Sequence, residues 1–571
     1  MTTSEQQRPA SVKTKACRRR KTGLNGYSAV VLGFLFLIGF WSLGSAAATE
    51  LPTARGTVFE DLNGNGRLDP GEPGIAGVLV SNGEDVVKTD AEGRYALPID
   101  DDTIVFVIQP PGWQVPVNPS NLPQHYVIHK PAGSPPLKYA GVPPTGPLPE
   151  AIDFPLHRCG GSDGFSILVF GDTQSRNLRE LDYLARDIVR ELADCRDAAF
   201  GLALGDITFD DLDLFEPTAR LLSLIGVPWH NIIGNHDMNV DAADDAFADE
   251  TYQRVYGPST YAFSRERVHF LVLNNIILHP AAGDEPARYS AGLRPRQKSF
   301  IRNFLSHVPS EDLVVMAMHI NFRNDGDAYE SGFQKDLMEL LAGHPRSLSL
   351  SAHSHMQQHL FFGPGTPGWA HDRPHHHFNA GTTCGSWWRG LQGETGIPHA
   401  MMWDGTPNGY LWIHFDGPDY IIDFKAAGRS PNHQMNIHSP AEISRGSEEP
   451  ALLSVNFFKG SERCTVEFSN KKDPEWHRMD KVEAHDPYYL DLVKRWERLD
   501  LIGFEKTWKD HPDLQGVEPP GRRVPGAAAS RHLWQAEIPA DWPAGFHAVE
   551  VRATDMHGRI YTDIHIVHIV D

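Results

Sequence analysis

Short apolar runs recur through the middle of the chain, at residues 165–170, 198–206, 227–235, 269–275 and 312–320. A glycine, an amide, an acid or an imidazole stands at the end of each run or directly beside it. Runs of this length with such boundaries predict buried strands. Two intervening segments, residues 175–195 and 295–308, instead carry apolar positions at helical spacing. Strands that alternate with helices predict a layered α/β domain whose functional groups lie at the strand ends.

The two flanks of this region have a different pattern. Short runs rich in β-forming residues, separated by Gly, Asn and Asp turns, occur before residue 110 and again after residue 451. They predict two β-rich units, and the proline-rich sequence after the first unit predicts a semi-rigid linker. The predicted organisation is a signal peptide over 1–48, an N-terminal β-sandwich module over 51–112, a Pro-rich linker over 113–162, the α/β domain over 163–436 and a C-terminal β-rich domain over 446–571.

The predicted signal peptide combines a basic segment at 18–21, an apolar run over 29–43 and small residues at 45–48. An uncleaved anchor is the alternative, but the apolar run is shorter than the roughly 18 residues expected of a membrane span. We therefore expect a periplasmic or extracellular protein with no stable membrane span after cleavage.

Charge and cysteine content narrow the function classes. The formal net charge is −21, and loss of the signal peptide, with its seven basic residues and one acidic residue, makes it about −27. Such an acidic surface repels phosphate backbones, so nucleic acid is not an expected partner. Cys159, Cys195, Cys384 and Cys464 remain, without CxxC spacing, as structural bridges or buried thiols.

Potential metal ligands stand at the end of each predicted strand in the middle region. In an α/β layer these ends can converge on one crevice, and oxygen and imidazole ligands without thiolates suit Mn, Fe or Zn. Each motif alone is common in loops, so the prediction depends on the ordered set. The residues are Asp172, Gln174, Asp206, Asn235, His236, His319, His353 and His355.

This order of motifs resembles the calcineurin-like metallophosphoesterases, whose pattern is D-x-H, GD-x-x-D, GNH-[DE], a lone His and GH-x-H. The similarity spans residues 165–425. It implies that Asp206 bridges two divalent ions, Mn, Fe or Zn, and that His236 lies beside the phosphoryl group. The implied ligands are Asp172, Gln174 and His355 for one ion, and Asn235, His319 and His353 for the other.

Further roles and departures follow from individual positions. Asn235 is expected to orient the phosphate as well as bind metal, and Asp237 to hold His236 in one tautomer. Gln174 replaces the first motif's histidine and Ala352 replaces a glycine. Asp210 stands four residues after Asp206 instead of three, so no ligand role is predicted for it.

Two further motifs lie outside this set. Trp387, Trp388 and Arg389 are candidate substrate-binding residues that stack on or pair with a phosphate ester, and a packed aromatic ledge is the alternative. In the N-terminal module, residues 61–72 fit D-x-[DN]-x-[DN]-G-x5-E, which predicts a structural calcium loop, with a plain Asn/Gly turn as the alternative. Its ligands are Asp61, Asn63, Asn65, Asp69 and Glu72.

Together these features predict an α/β (α+β) layered metallophosphoesterase sandwich, flanked by an N-terminal β-sandwich domain and a C-terminal β-rich domain. The predicted function is a secreted phosphoesterase that hydrolyses phosphate mono- or diesters by attack of a metal-bridging hydroxide. Its expected substrate is a phosphate-ester small molecule or an envelope component. Two alternatives remain: a nuclease, which the acidic balance disfavours, and a calcium-stabilised binding or adhesion module with a degenerate metal centre, which Gln174 favours.

Overall fold

The computed structural model describes residues 52–161, 164–322, 328–498, 510, 523–539 and 541–571. The predicted signal peptide, residues 1–48, lies outside the described residues. Within the described ranges, no helix is both long enough and apolar enough to cross a membrane. The four cysteines of these ranges, Cys159, Cys195, Cys384 and Cys464, are free thiols.

The middle of the chain folds into two large sheets. The strands are β9 (Gly164–Phe170), β10 (Gly201–Ala203), β11 (Trp229–Asn231), β12 (Tyr261–Arg265), β13 (Val268–Val272), β14 (Ile276–His279), β15 (Arg288–Ala291), β16 (Leu313–Ala317), β17 (Ser347–Ser351), β18 (Gln357–Phe362), β19 (His375–Ala380), β20 (Gly409–Asp416) and β21 (Asp419–Ala426). One sheet has the order β11-β10-β9-β20-β21 and the other β12-β13-β16-β17-β19-β18, with β14 and β15 pairing separately. Strands β9 to β11 are parallel to one another, as are β13, β16, β17 and β19.

The two sheets share one hydrophobic core. The ring of Phe200, beside β10, contacts Phe270 of the other sheet with centroids 5.2 Å apart, and Phe270 contacts Phe415 of β20 at 5.9 Å. Every residue of β13 and β16 is buried, as expected for strands covered on both faces. This arrangement confirms the predicted α/β (α+β) layered sandwich.

Helices connect the strands, and capping residues stabilise the first turn of some of them. They are α1 (Leu178–Leu184), α2 (Arg190–Leu192), α3 (Phe215–Leu222), α4 (Glu250–Tyr256), α5 (Pro295–Leu305), α6 (Phe333–Leu340) and, in the C-terminal region, α7 (Pro487–Arg498). The side chain of Asn177 accepts the first free N–H groups of α1, and Pro295 supplies the first residue of α5. The Phe300 ring of α5 contacts Phe106 of the N-terminal unit at 5.6 Å.

The N-terminal unit consists of two four-stranded sheets, β4-β1-β8-β6 and β3-β2-β5-β7. Its strands are β1 (Thr53–Glu60), β2 (Leu79–Ser81), β3 (Val86–Lys88), β4 (Arg94–Pro98), β5 (Thr103–Ile108), β6 (Trp113–Gln114), β7 (Tyr126–His129) and β8 (Phe154–Arg158). The linker predicted over 113–162 is corrected here, because β6, β7 and β8 belong to these sheets. Ile152, Phe154 and Leu156 enter the unit's core, and burial of these side chains outweighs the surrounding proline content.

The C-terminal unit also contains two sheets, β22-β24-β28-β27 and β23-β30-β29-β25-β26, around a separate core that includes Phe457, Phe468 and Trp534. Its strands are β22 (Met435–His438), β23 (Ile443–Ser444), β24 (Leu452–Phe457), β25 (Thr465–Asn470), β26 (Asp473–Arg478), β27 (Asp480–His485), β28 (Ala529–Glu537), β29 (Gly545–Thr554) and β30 (Ile560–Val570).

Candidate metal centre

The loops that follow β9, β10, β11, β16 and β17 meet at one edge of the two sheets. The structure brings all the predicted ligands together there, and nearly all of them are buried. Their exposed fractions are 0% for Asp172, 1% for Gln174, 2% for Asp206, 6% for Asn235, 0% for His319 and 3% for His355, while His353 is half-buried.

A first group of ligand atoms surrounds His319. Its Nε2 atom lies 3.0 Å from Oδ1 of Asn235, 3.3 Å from Oδ1 of Asp206 and 3.1 Å from Nδ1 of His353. Nδ1 of His319 donates to the carbonyl of Leu204 at 2.8 Å, so Nε2 directs its lone pair into this group when the ring is neutral. Asp206, His319 and His353 offer ligand atoms that all lie within 4.8 Å of one another.

A second group is formed by Asp172 and His355. Nδ1 of His355 donates to the carbonyl of Gly385 at 2.7 Å, which leaves the Nε2 lone pair facing Oδ2 of Asp172 across 3.3 Å. That carboxylate oxygen is buried and has no hydrogen-bond partner among the residues that the structure describes. Two lone pairs directed at each other in a buried site repel, and a cation between them removes the repulsion.

The pKa values of the clustered side chains also fit a site that binds a cation. Burial, together with the neighbouring Asp206 carboxylate, raises the pKa of Asp172 to about 7, and burial lowers the pKa of His355 to about 4. Burial opposes the charge of His319, but Asp206 and Asp172 outweigh it and raise its pKa to about 10. A divalent ion would replace the His319 proton, because metal ligands bind in their deprotonated form.

Asp206 stands between the two groups. Its Oδ1 atom is on the side of His319, and its Oδ2 atom accepts a hydrogen bond from Nε2 of Gln174 at 2.8 Å. Oε1 of Gln174 accepts the indole N–H of Trp387 at 2.5 Å, and an indole nitrogen can only donate. In this conformation the amide nitrogen of Gln174 supports the Asp206 carboxylate and its amide oxygen accepts from Trp387, while the ligand role of Gln174 stays a prediction.

Glycines before Asp206 and Asn235 allow the ligand loops to pack this closely. A Cβ on Gly234 would overlap the backbone nitrogen of Asp206, and a Cβ on Gly205 would lie 2.6 Å from Nδ1 of His319. Asp206 itself has a φ of 46°, in the left-handed region that is costly for residues other than glycine. The Gly-Asp and Gly-Asn pairs of the motifs are thus explained by close packing at the centre.

The partner of His236 is Asp210, not the predicted Asp237. Nδ1 of His236 lies 2.7 Å from Oδ1 of Asp210, and the imidazole stacks on Phe209 with ring centroids 4.2 Å apart. The Asp237 carboxylate instead accepts the backbone N–H groups of residues 207, 208 and 234. Asp237 is fully buried and joins two ligand loops, because its carboxylate accepts N–H groups from both of them.

Burial lowers the pKa of His236, but the carboxylates of Asp206 and Asp210 outweigh this effect and raise the pKa to about 9. An imidazole with such a pKa is protonated at neutral pH and can act as a general acid. Sequence reasoning missed Asp210 because its spacing from Asp206 differs from the family pattern; the acidic run at residues 210–211 was the available signal.

The candidate substrate residues divide into two kinds. Trp388 is 3% exposed and packs against Tyr183, so its predicted role in a substrate cleft is corrected: burial in the core leaves it no ligand surface. The Trp387 ring lies 4.5 Å from the His355 ring, and the Arg389 guanidinium lies over Trp387 at 4.8 Å. Both are half-buried at the centre's edge.

Beneath the ligand loop, a row of buried hydrogen bonds runs along the parallel strands β17 and β19. Its side chains alternate between the strands, since every second residue of a strand points to the same face. The contacts are Ser347 to His375 Nδ1 (2.8 Å), Ser349 to His375 Nε2 (2.8 Å), Ser349 to His377 Nδ1 (2.7 Å), Ser351 to His377 Nε2 (3.0 Å) and Ser351 to Asn379 Oδ1 (3.0 Å). We call this set the Ser/His row.

The direction of the Ser/His row is fixed at its Asn379 end. Nδ2 of Asn379 donates to the carbonyl of Met356 at 2.9 Å and to the hydroxyl of Ser354, so Oδ1 must accept from Ser351. Ser351 then accepts from Nε2–H of His377, and each further group along the row accepts once and donates once. Asn379 thereby holds Ser354, which lies between the ligands His353 and His355.

Three family models match the chain: the N terminal of calcineurin-like phosphoesterase over residues 62–138, calcineurin-like phosphoesterase over 165–357, and the C terminal of calcineurin-like phosphoesterase over 377–561. The chain belongs to the calcineurin-like phosphoesterase family. This calcineurin-like phosphoesterase is a metal-dependent phosphoric ester hydrolase, and the middle match contains the aspartates, the asparagine and the histidines of the candidate metal centre.

Two solved structures are similar to this phosphoesterase in part. Purple acid phosphatase PPD1 from seeds of yellow lupin (Lupinus luteus) has 11% identity, with 62% of this chain and 67% of that chain covered and a TM-score of 0.33. PhoD has 9% identity, with 80% of this chain and 98% of that chain covered and a TM-score of 0.34. No curated protein sequence matches this chain.

In the N-terminal unit, the side chains of residues 61–72 are directed into their own loop. Asp61 accepts the N–H groups of Gly64 and Gly66, and Glu72 accepts those of Leu62 and Asp69. The side-chain amides of Asn63 and Asn65 both donate to Oδ2 of Asp69. The five predicted ligands are thus brought to one loop.

Proposed function

We propose that this phosphoesterase hydrolyses phosphate mono- or diesters outside the cytoplasm, with two divalent ions of the Mn, Fe or Zn type. The observation that carries the proposal is the buried Asp206 carboxylate between two groups of metal-ligand atoms. Asp172 and His355 would hold one ion, Asn235, His319 and His353 the other, and Asp206 both. When bound, two such metal ions supply a hydroxide nucleophile at neutral pH and neutralise charge on the phosphoryl oxygens.

The chain's own residues supply the remaining chemistry. His236 is the group proposed to protonate the leaving oxygen, because it is cationic at neutral pH and bonded through Nδ1, which leaves Nε2–H available. Asp210 and Phe209 hold the imidazole in that orientation. Such general acid catalysis typically contributes about 10²- to 10⁴-fold to a rate.

The acidic chain supports a small or envelope-derived ester over nucleic acid. The chain has a net charge of −21, so it would repel a polyanion such as DNA at long range. A single phosphate group can still be attracted to a cationic centre. Arg389 and Trp387, at the edge of the centre, are the residues proposed to contact the substrate. Export rests on the predicted signal peptide.

We also propose that residues 61–72 bind calcium in a structural role. The loop places Asp61, Asn63, Asn65, Asp69 and Glu72 together, with oxygen ligands at alternating positions. A calcium ion should raise the thermal stability of the full chain without changing its rate of ester hydrolysis. A chain whose melting temperature does not respond to millimolar Ca²⁺ would leave only an Asn/Gly turn at this position.

Asp206→Asn tests the central proposal. Metal content and hydrolysis of a chromogenic phosphate monoester and diester are measured for the wild type and the variant, with Mn²⁺, Zn²⁺ and Fe²⁺. The variant should lose bound metal and turnover together. Asp213→Asn is a matched control, because Asp213 is exposed in the same loop region and should leave both unchanged.

The second candidate function is a binding module with a degenerate centre, which the conformation of Gln174 favours. In that case the wild type would bind metal but hydrolyse neither ester with any of the three metals. Turnover that disappears in Asp206→Asn and persists in Asp213→Asn would exclude the binding module.

A further inference from the structure

A turn at residues 403–406 contacts the segment that contains His355 through hydrogen bonds and ring stacking. The backbone N–H of Trp403 donates to the carbonyl of His355 at 3.2 Å, and the Trp403 ring stacks on the imidazole at 5.2 Å with an interplanar angle of 17°. The Asp404 carboxylate accepts the N–H of Gln357 at 2.8 Å. The turn therefore holds the ligand segment at two points.

The same turn is held from its other side by the C-terminal unit. Nε2 of His532, on β28, lies 3.0 Å from Oδ2 of Asp404. Asn456, on β24, donates to the backbone carbonyl of Asp404 at 2.9 Å, and the N–H of Ala528 donates to the carbonyl of Trp403 at 2.9 Å. Asp404 and His532 are each 1% exposed, so water cannot replace either partner.

Hydrogen bonding fixes the orientation of the His532 ring. Nδ2 of Asn456 donates to Asp404 and to Asp486, so Oδ1 of Asn456 must accept from Nδ1 of His532, at 2.7 Å. Both ring nitrogens of His532 thus lie within hydrogen-bond distance of a partner, Asn456 on one side and Asp404 on the other. Burial raises the pKa of Asp404, but His532 and the N–H groups of Thr406 and Gln357 outweigh it and lower the pKa.

The turn at residues 403–406 and the C-terminal unit are packed closely, so neither can shift without a steric clash. Gly405 has a φ of 86°, and a Cβ at this position would overlap the Asp486 carboxyl group. Loss of His532 would leave the buried Asp404 carboxylate short of one hydrogen-bond partner. Removal of His532 should therefore displace Asp404, and with it the backbone that supports Gln357 and His355.

His355 is the predicted ligand whose backbone and ring this turn contacts directly. Its backbone is left-handed, with a φ of 53°, a conformation that persists only when neighbouring contacts hold it. Its ring is fixed by Gly385 and by Trp403. His319 is fixed instead by Leu204 and Asn275, within the sandwich.

We propose that His532 of the C-terminal unit is a positioning residue for the metal ligand His355, acting through Asp404, so that the C-terminal unit sets the affinity for the ion held by Asp172 and His355. This inference rests on the two-ion centre of the proposed function. It gives the C-terminal unit a role in the reaction although its strands supply no ligand.

The test compares His532→Ala with the wild type in the full chain. Mn²⁺ is titrated into metal-stripped protein by calorimetry, which resolves the two binding events without requiring turnover. The wild type should bind two ions. The variant should bind one of them with unchanged affinity, within twofold, and the other about 10- to 100-fold more weakly, the usual effect of losing a group that orients a ligand.

His547→Ala is the matched control. His547 is 1% exposed in the same unit and is bonded to Asn470 and Pro543, with no contact to Asp404. It should lower the melting temperature while leaving both Mn²⁺ affinities unchanged. If His532→Ala does not fold, Asp404→Asn replaces it, because the amide keeps an acceptor for Gln357 and removes the attraction to His532.

The outcomes separate this inference from the proposed function. A wild type that binds fewer than two Mn²⁺ ions overturns the two-ion centre. If the wild type binds two ions and folded His532→Ala weakens the affinity for neither ion, or for both equally, only the role of His532 is overturned. The same holds if His547→Ala weakens the affinity for the same ion as His532→Ala. In the double variant with Asp404→Asn, the two effects on affinity should be less than additive.

Discussion

Nδ1 of His236 lies 2.7 Å from Oδ1 of Asp210, and this contact fixes which nitrogen of the imidazole remains available for proton transfer. Asp210 is itself 58% exposed, so its carboxylate can hold the ring without becoming part of the buried ligand groups. We therefore assign the pair to the proposed reaction chemistry and not to metal binding.

Asp210→Asn should lower kcat by about 10- to 100-fold, because the imidazole loses its orientation and part of its positive charge. The loss should be larger for alkyl phosphate esters than for nitrophenyl esters, whose leaving groups need no proton. Rates on both ester types, with metal content as a parallel measurement, check this. An equal loss on both, or a loss of metal, would assign Asp210 another role.

Gly234→Ala should lower activity by about 100-fold or more, because the added Cβ overlaps the Asp206 backbone and moves its carboxylate. Displacements of about 1 Å at a catalytic centre cost on the order of 10²-fold in rate. Gly343→Ala is the control, since nothing lies within 4 Å of a Cβ at that position. Residual metal binding and turnover are compared, and a Gly234→Ala enzyme with wild-type activity would contradict the packing described for this loop.

Acid should weaken the contact between β21 and the C-terminal unit. Arg559 and Lys459 hold the Asp423 carboxylate at 2.6 to 2.9 Å. Burial opposes its ionisation, but these cations outweigh burial and lower its pKa to about 2 from an ordinary 3.8. The folded pKa is the lower one, so the stabilisation is present above about pH 4 and is lost as pH falls from there towards 2.

Asp423→Asn should accordingly reduce the free energy of unfolding by about 1 to 2 kcal/mol at pH 7 and flatten its decline between pH 4 and 2. Denaturant titrations across this pH range measure both effects. Asp419→Asn is the control on the same strand: Asp419 is 69% exposed, and its ion pairs should contribute little. Equal effects of the two substitutions would count against the buried pair.

Metal removal should destabilise the protein, because Asp172 and Asp206 are left as buried carboxylates without their counterions. An ion present at about 100 times its Kd stabilises the folded state by about 2.7 kcal/mol. Thermal melts with chelator and with added Mn²⁺ should therefore differ by several degrees, and Asp206→Asn should abolish the difference. A wild-type melting temperature that does not depend on metal would contradict this.

Much of the fold was predictable, because each ligand motif directly follows an apolar run that ends a strand, such as Phe170 before Asp172. Strands β6 to β8 were not, since proline content concealed short apolar stretches whose partners lie far along the chain; Phe154 pairs with Val58. Composition leaves Trp388 open between a substrate cleft and a packed aromatic ledge, and only tertiary packing against Tyr183 shows that it is buried. The Asp404–His532 contact joins residues with no local pattern in common.

The Ser/His row should also be sensitive to apolar substitution. His377→Leu leaves the hydroxyls of Ser349 and Ser351 each short of one partner in a buried strand pair, at a cost of about 1 to 3 kcal/mol for each group left unsatisfied. Ser347→Ala, at the end of the row, should cost less because only His375 loses a donor. Denaturant titration ranks the two.

Each interior member of the Ser/His row donates one hydrogen bond and accepts another, so a substitution there leaves a polar group unpaired on both sides. A substitution tolerated at one of these positions would require a compensating substitution on the facing strand. We therefore expect the Ser/His row to vary as a set among related chains, whereas the apolar side chains around it can be replaced one at a time.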